Sequence, residues 1–246
     1  MPPLVLIFAA SDPTGGAGLQ ADLLTLAALG CHPLSVVTGI TVQDTRGVAS
    51  LDATDPGLVE RQATALLAEL KVAAFKLGVL GSAENARVVG AIAAKHPRVP
   101  LILDPVLASG RGDALAGDAA IEALLEAIVP HATLATPNTL EARRLGGERA
   151  LIARGCKYVL VTGTHETTSD VVNTLYDARG KVREDRWPRL PGSYHGSGCT
   201  LASACAAHLA HGVEIGEAVR MAQEFTWQSL SAGFRPADGQ FIPWRK

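Results

Sequence analysis

Leu4-Val5-Leu6-Ile7-Phe8-Ala9-Ala10 runs without a break into Ser11-Asp12-Pro13-Thr14-Gly15-Gly16-Ala17-Gly18. An apolar run of this length with no polar alternation reads as a strand covered on both faces, the pattern of a parallel sheet packed between helices. The polar, glycine-rich continuation marks where that strand stops, and Leu19-Gln20-Ala21-Asp22-Leu23 opens a helix. The same rhythm recurs along the chain. Apolar runs at 34–42, 73–80, 100–103, 132–136 and 157–162 read as further buried strands separated by helical patterns. Between the second and third, Asp55-Pro56 supplies an N-cap and a first-turn proline, and Val59, Ala63, Leu66, Leu67 and Leu70 share one helical face. Such alternation predicts an α/β fold with a mostly parallel sheet, helices on both faces and right-handed crossovers. Residues 172–176 and 182–187, around Asp177-Ala178-Arg179-Gly180, predict a small β hairpin just before a second glycine loop.

The chain has 246 residues, 48% of them hydrophobic, enough for one large core, so a single domain over 1–246 is expected. Its net charge of −2 comes from interspersed acids and bases and provides no basic stripe for nucleic acid or an anionic membrane. A small polar or anionic ligand is the better expectation. Cys31, Cys156, Cys199 and Cys205 are scattered with no C-x-x-C pair, which argues against zinc and against a disulfide framework and fits a reducing, cytoplasmic setting. The first apolar run has no basic segment before it and reads as a strand rather than a signal peptide. No run approaches the roughly 18 apolar residues of a membrane span.

In open α/β sheets ligands gather beyond the carboxyl ends of the strands. Those ends carry Asp12 with the 15–18 glycine loop, Asp104-Pro105, Pro137-Asn138 and Gly163-Thr164-His165. Late in the chain, His195-Gly196-Ser197-Gly198-Cys199-Thr200 precedes an Ala- and Leu-rich run that ends at Gly212. A flexible turn there would aim free N–H groups and a helix dipole at one point, an arrangement that binds anions. Cys199 stands at that point. A thiol at a helix N-terminus is expected to have a lowered pKa and to act as proton acceptor or nucleophile; the plainer alternative is a small buried cysteine in a glycine-capped turn.

Asn138 and Glu141, three apart at the start of a helical run, form with Asp104 a sparse oxygen-rich cluster. That sparseness suits Mg²⁺ on nucleotide phosphates better than a protein-only cage, although an ordinary N-cap with an acidic first turn explains Asn138 and Glu141 equally well. Gln43, at the end of the second strand, carries an amide whose acceptor and donors match an amine beside a ring nitrogen, as in an aminopyrimidine, although an ordinary polar residue at a strand end is the plainer reading. His165 and His195 flank the proposed phosphate region, whereas His208 and His211 suit a helix C-terminus better than a metal. The chain has no G-x-x-x-x-G-K-[ST] loop, no complete G-x-G-x-x-G after its first strand, and no G-x-S-x-G elbow around Ser197.

Taken in order and spacing, Ser11–Asp22, Gln43 with Thr45-Arg46-Gly47-Val48, Lys76-Leu77-Gly78, Asp104-Pro105-Val106, Thr136-Pro137-Asn138 with Glu141, and 195–200 resemble the hydroxymethylpyrimidine and phosphomethylpyrimidine kinases of thiamin biosynthesis. The resemblance covers nearly the whole chain. It implies a ribokinase-like three-layer α/β/α sandwich, a homodimer, and ATP- and Mg²⁺-dependent phosphorylation of 4-amino-5-hydroxymethyl-2-methylpyrimidine and then of its monophosphate. By the same resemblance, Gly196, Ser197 and Gly198 would hold the transferring phosphoryl group and Cys199 would be the general base. Gln43, Asp12, Ala10, Ala17, Val79 and Val106 would form the substrate pocket. Asn138, Glu141, Thr162, Gly163 and His165 would serve the nucleotide, with Asp104 and Glu141 toward the metal. Ala10 replaces a usual Gly, Val79 a common Met, Thr162 a frequent Lys, Tyr194 a Thr and Asn173 an Asp. A pyridoxal-type vitamin kinase, or a catalytically weak ligand-binding regulator on the same fold, are the alternatives.

Overall fold

The computed structural model describes residues 1–108 and 115–246. The chain runs β1 (Leu4–Ser11), α1 (Gly18–Ala28), β2 (His32–Asp44), β3 (Gly47–Ala53), α2 (Pro56–Glu69), β4 (Ala74–Leu77) and α3 (Ala83–Lys95). It continues through β5 (Leu101–Leu103), α4 (Asp118–Ala123), β6 (Leu134–Ala135), α5 (Thr139–Arg144), α6 (Gly147–Ala153) and β7 (Tyr158–Thr162). The hairpin β8 (Asp170–Asp177) and β9 (Gly180–Pro188) and the helices α7 (Ser197–Ala210) and α8 (Ile215–Ser231) complete it. Among the described residues one sheet holds nine strands, ordered β3-β2-β1-β4-β5-β6-β7-β8-β9. The six from β2 to β7 pair in parallel, and the edges β3, β8 and β9 are antiparallel.

Successive side chains of a strand point to opposite faces, and both faces are buried. Leu6, Phe8, Phe75, Leu77, Leu101 and Leu103 pack on one side with residues of α2 and α3. Val5, Ile7, Ala74, Ile102, Leu134 and Leu160 pack on the other with α1, α7 and α8. Each fully buried Leu, Ile or Phe contributes about 1.5–3 kcal/mol relative to exposure, and together they set the three layers. Asp55 caps α2 as its sequence implies, accepting the Leu58 N–H at 2.9 Å ahead of Pro56.

Three elements differ from the sequence expectation. Strand β3 is not anticipated, because it is an edge strand with no fully buried side chain and so lacks the continuous apolar run of its neighbours. The 132–136 run shortens to Leu134–Ala135, and 73–80 ends as a strand at Leu77. Strand parity also has a chemical consequence: Lys76 alternates with Phe75 and Leu77, so it points into the α1/α7 layer among apolar neighbours and is fully buried.

Candidate active site

The carboxyl ends of the parallel strands and the start of α7 enclose a cleft of about 450 Å³, a size suited to a small organic ligand. Two glycine turns meet at its floor. In the first, both oxygens of Asp12 are committed: Oδ1 accepts the Thr14 N–H at 2.8 Å, and Oδ2 accepts the Thr14 hydroxyl at 2.9 Å and the Ala17 N–H at 2.7 Å. Oδ2 also meets His195 Nε2 at 2.8 Å, which ties the first turn to the second. Burial opposes ionisation of Asp12, but the His195 hydrogen bond and the Thr14 and Ala17 N–H groups outweigh it and hold the carboxyl at about 2. Asp12 thus lines the cleft but mainly shapes its loop.

In the second turn Gly196 has φ +80°, the left-handed region, and a β-carbon there would collide with the Gly16 carbonyl. Only glycine satisfies both demands. The next N–H groups, of Ser197, Gly198 and Cys199, open a 14-residue helix and have no intrahelical acceptors, so they and the helix dipole face the cleft together.

Behind Cys199 lies a buried charge network. Lys76 Nζ is 2.8 Å from the Asp22 carboxylate on α1, and Ser203 Oγ of α7 donates to Asp22 Oδ1 at 2.7 Å. Burial alone would drive Lys76 toward neutrality, but the Asp22 and Asp104 carboxylates push its pKa up, so it stays charged. Asp104 Oδ2 lies 3.9 Å from the same ammonium. This arrangement corrects the expectation for Cys199. Burial raises its thiol well above the ordinary range; Lys76 and the Gly18 N–H favour the thiolate, but Asp104 and Asp22 oppose it. The resting thiol is therefore protonated. Helix dipole arguments consider only α7, whereas desolvation and two carboxylates arrive from other elements.

Asn138 is the N-cap of α5 in a capping box: its Oδ1 accepts the Leu140 and Glu141 N–H groups, both at 2.9 Å, and Glu141 Oε2 accepts the Asn138 N–H at 2.9 Å. The plainer sequence reading of this pair is thus present, and the Asn138 oxygen is already used. Glu141 nevertheless faces the cleft, where burial and the neighbouring Asp104 push its carboxyl up to about 8. Asp104 is raised by burial too, and its buried Oδ2 has no hydrogen-bond partner among the described residues. Two carboxyls that repel each other beside an unsatisfied oxygen fit a divalent cation.

Along the walls, Ala10, Ala17, Gln43, Val79 and Val106 all line the cleft. The register of β2 against β3 shifts between Val42 and Gln43, a bulge of the kind that re-aims a side chain. At the other end Thr162 and His165 line the cleft, but Gly163 does not. Gly163 instead packs so closely on β8 that a β-carbon would strike the Val172 carbonyl, and its N–H donates to Asn173 Oδ1 at 3.1 Å. It is a packing residue one step behind the wall. The sequence reading missed Arg189, whose guanidinium donates to the carbonyls of Thr168, Thr164 and Glu166 at 2.8, 2.9 and 2.7 Å and so holds the 163–168 loop at the rim. It also left Lys76 and Asp22 without a role, although a lysine inside an apolar strand run is a visible signal. His208 and His211 lie outside the cleft.

Residues 12–243 match the model of the phosphomethylpyrimidine kinase family. The chain belongs to this family. It is 40% identical to the hydroxymethylpyrimidine/phosphomethylpyrimidine kinase of Streptomyces coelicolor over 98% of this chain and 93% of that protein. The enzyme of the same name from Salmonella typhimurium is 34% identical over 95% of this chain and 91% of its own length. Among solved structures, phosphomethylpyrimidine kinase from Clostridium difficile superposes with a TM-score of 0.78 at 32% identity, covering 92% of this chain and 98% of that one. The ADP complex of Bacillus subtilis pyridoxal kinase superposes with a TM-score of 0.90 at 25% identity, covering 100% and 98%. The fold is the ribokinase-like one shared by these vitamin kinases. Among the described residues no helix is long and apolar enough to cross a membrane.

Proposed function

We propose that the protein transfers the γ-phosphoryl group of ATP to the hydroxymethyl oxygen of 4-amino-5-hydroxymethyl-2-methylpyrimidine, and then a second phosphoryl group to the monophosphate. The observation that carries this reading is the convergence, in one cleft, of Cys199 and the free α7 N–H groups with Asp104 and Glu141. Phosphoryl transfer proceeds through a loose transition state and needs positioning and charge stabilisation more than covalent help. The N–H groups of Ser197, Gly198 and Cys199 supply that stabilisation from fixed dipoles, without reorganisation. Gln43 reads the amine and adjacent ring nitrogen, between the small walls Ala10, Ala17, Val79 and Val106. Asp104 and Glu141 would hold Mg²⁺, which when bound neutralises phosphate oxygens. Thr162 and His165 take the nucleotide end, with Arg189 keeping their loop in shape; Asn138 acts there by capping α5.

Cys199 accepts the substrate proton late, as the oxygen bonds to phosphorus and its proton becomes acidic. Cys199 is half-buried at the cleft, so its resting proton leaves first to cleft water, a loss that the Lys76 ammonium favours, and the thiolate so formed takes the substrate proton. The homodimer implied by the family resemblance belongs to the same proposal: Ile40 and Val42, 59% and 57% exposed on one face of β2, are apolar side chains a second copy would cover.

The test is incubation with ATP and Mg²⁺ and, separately, the hydroxymethylpyrimidine, its monophosphate, pyridoxal and ribose, with products followed by mass. Pyrimidine mono- and diphosphate are expected. Phosphorylation of pyridoxal alone would move the assignment to the pyridoxal kinases that share the fold, and absence of any product would overturn it.

A further inference from the structure

Arg245 follows α8 and is 9% exposed, yet neither of its hydrogen-bonded arms meets a carboxylate. Its Nε donates to Thr200 Oγ1 at 3.0 Å and its Nη2 to the Gly16 carbonyl at 2.6 Å, while Nη1 is buried without a partner among the described residues. Thr200 Oγ1 donates in turn to the Gly196 carbonyl at 2.8 Å. Gly16 and Gly196 are the residues at which the two glycine turns touch, so one guanidinium grips both sides of that contact. The segment that delivers it is itself anchored. His195 N–H donates to the Phe241 carbonyl and Phe241 N–H to the Ser193 carbonyl, both at 2.8 Å, and Trp244 N–H donates to the Ser229 carbonyl at 2.8 Å. The Trp244 ring packs edge-on against Phe234, 5.7 Å between centroids.

A guanidinium keeps its charge when buried and presents donors in a rigid fork. Here the fork spans two backbones that sequence places far apart, and Asp22 and Asp12 are the carboxylates whose fields reach it. We propose that Arg245 is a positioning residue for phosphoryl transfer: it clamps the 12–18 loop to the start of α7, keeping the Ser197, Gly198 and Cys199 N–H groups aimed at one point with a fixed positive charge behind them. This rests on the kinase reading given above. Lysine could keep the charge but reach only one of the two acceptors, so charge and clamp are separable.

The experiment compares wild type, Arg245→Ala, Arg245→Lys and Lys246→Ala by steady-state kinetics, and by amide hydrogen exchange of residues 15–18 and 196–200. Arg245→Ala should lose about tenfold or more in kcat with both KM values nearly unchanged, as expected when alignment rather than binding is lost. Free guanidinium ion should restore part of that loss, Arg245→Lys should fall between, and Lys246→Ala should match wild type. Exchange should rise in both turns together. A kcat within twofold of wild type in Arg245→Ala overturns the clamp. If that variant does not fold, Arg245→Lys decides: unchanged kcat and unchanged exchange in both turns overturn it. Should wild type show no kinase turnover, the kinase reading fails, while the exchange comparison still judges the clamp.

Discussion

At the end of the cleft built by β1, β4 and α7, charged side chains are buried and tied to named side-chain partners: Asp12 to His195, Lys76 to Asp22, Asp22 to Ser203. At the end built by β7 and its following loop, Arg189 is half-buried and bonded to backbone carbonyls rather than to a carboxylate, while Thr162 offers only a hydroxyl. Networks of the first kind sit in a low dielectric, where satisfied partners hold one geometry and a missing partner costs heavily. The second kind is screened by water and tolerates change. On the proposed kinase reading, the contrast puts rigidity at the end where the acceptor hydroxyl would be aligned and latitude at the end that would hold the nucleotide.

Substitutions should reproduce that gradient. Cys199→Ala should lower kcat by roughly 10²–10⁴-fold, the range of a lost general base, with pyrimidine affinity by calorimetry nearly unchanged; retained turnover would remove Cys199 from the chemistry. Lys76→Met should cost about 3–5 kcal/mol of stability, because it strands Asp22 as an unpaired buried charge. Urea unfolding measures this, and Lys76→Met combined with Asp22→Leu should recover much of the loss.

Asp12 gives a pH signature. Its pKa is held at about 2 in the fold, below the ordinary carboxylate value near 3.9. Its ionised form therefore adds stability that is fully present above about pH 4 and is lost as pH falls through about 2. Asp12→Asn should be less stable by about 2 kcal/mol near neutral pH, and the gap should close in acid; a pH-independent gap would mean the ionisation is not what stabilises the turn. Gln43→Ala should raise the pyrimidine KM roughly tenfold, the worth of one or two hydrogen bonds, and leave the ATP KM alone. At the tolerant end, Thr162→Lys should lower the ATP KM by only a few fold, as a screened charge does.

The sequence carried the frame and many of the residues that line the cleft. Residues 4–10 display two-sided burial directly, and the Asp55-Pro56 cap and the turn at Gly180 are local chemistry that a linear reading resolves. Strand β3 escaped because an exposed antiparallel edge needs no apolar run, and Gly163 was misplaced because its close approach to Val172 is a tertiary fact. The Cys199 ionisation was misjudged for a related reason. A helix N-terminus is visible in one dimension, but Asp22 and Asp104, which oppose the thiolate, come from α1 and the end of β5. Arg245 has no sequence signal at all, since its partners are a carbonyl and a hydroxyl that nothing in its neighbourhood announces.

The contacts that bring the glycine turns together span most of the chain: Asp12 to His195 bridges 183 positions and Arg245 to Gly16 bridges 229. Closing such distances is entropically expensive and is rewarded only when both partners are already in place. A chain with its early strands paired but α7 undocked would have a sheet, much of a core, and no anion site. Recovery of activity during refolding should therefore lag behind the return of helical signal, and the delay would time the arrival of α7 against β1.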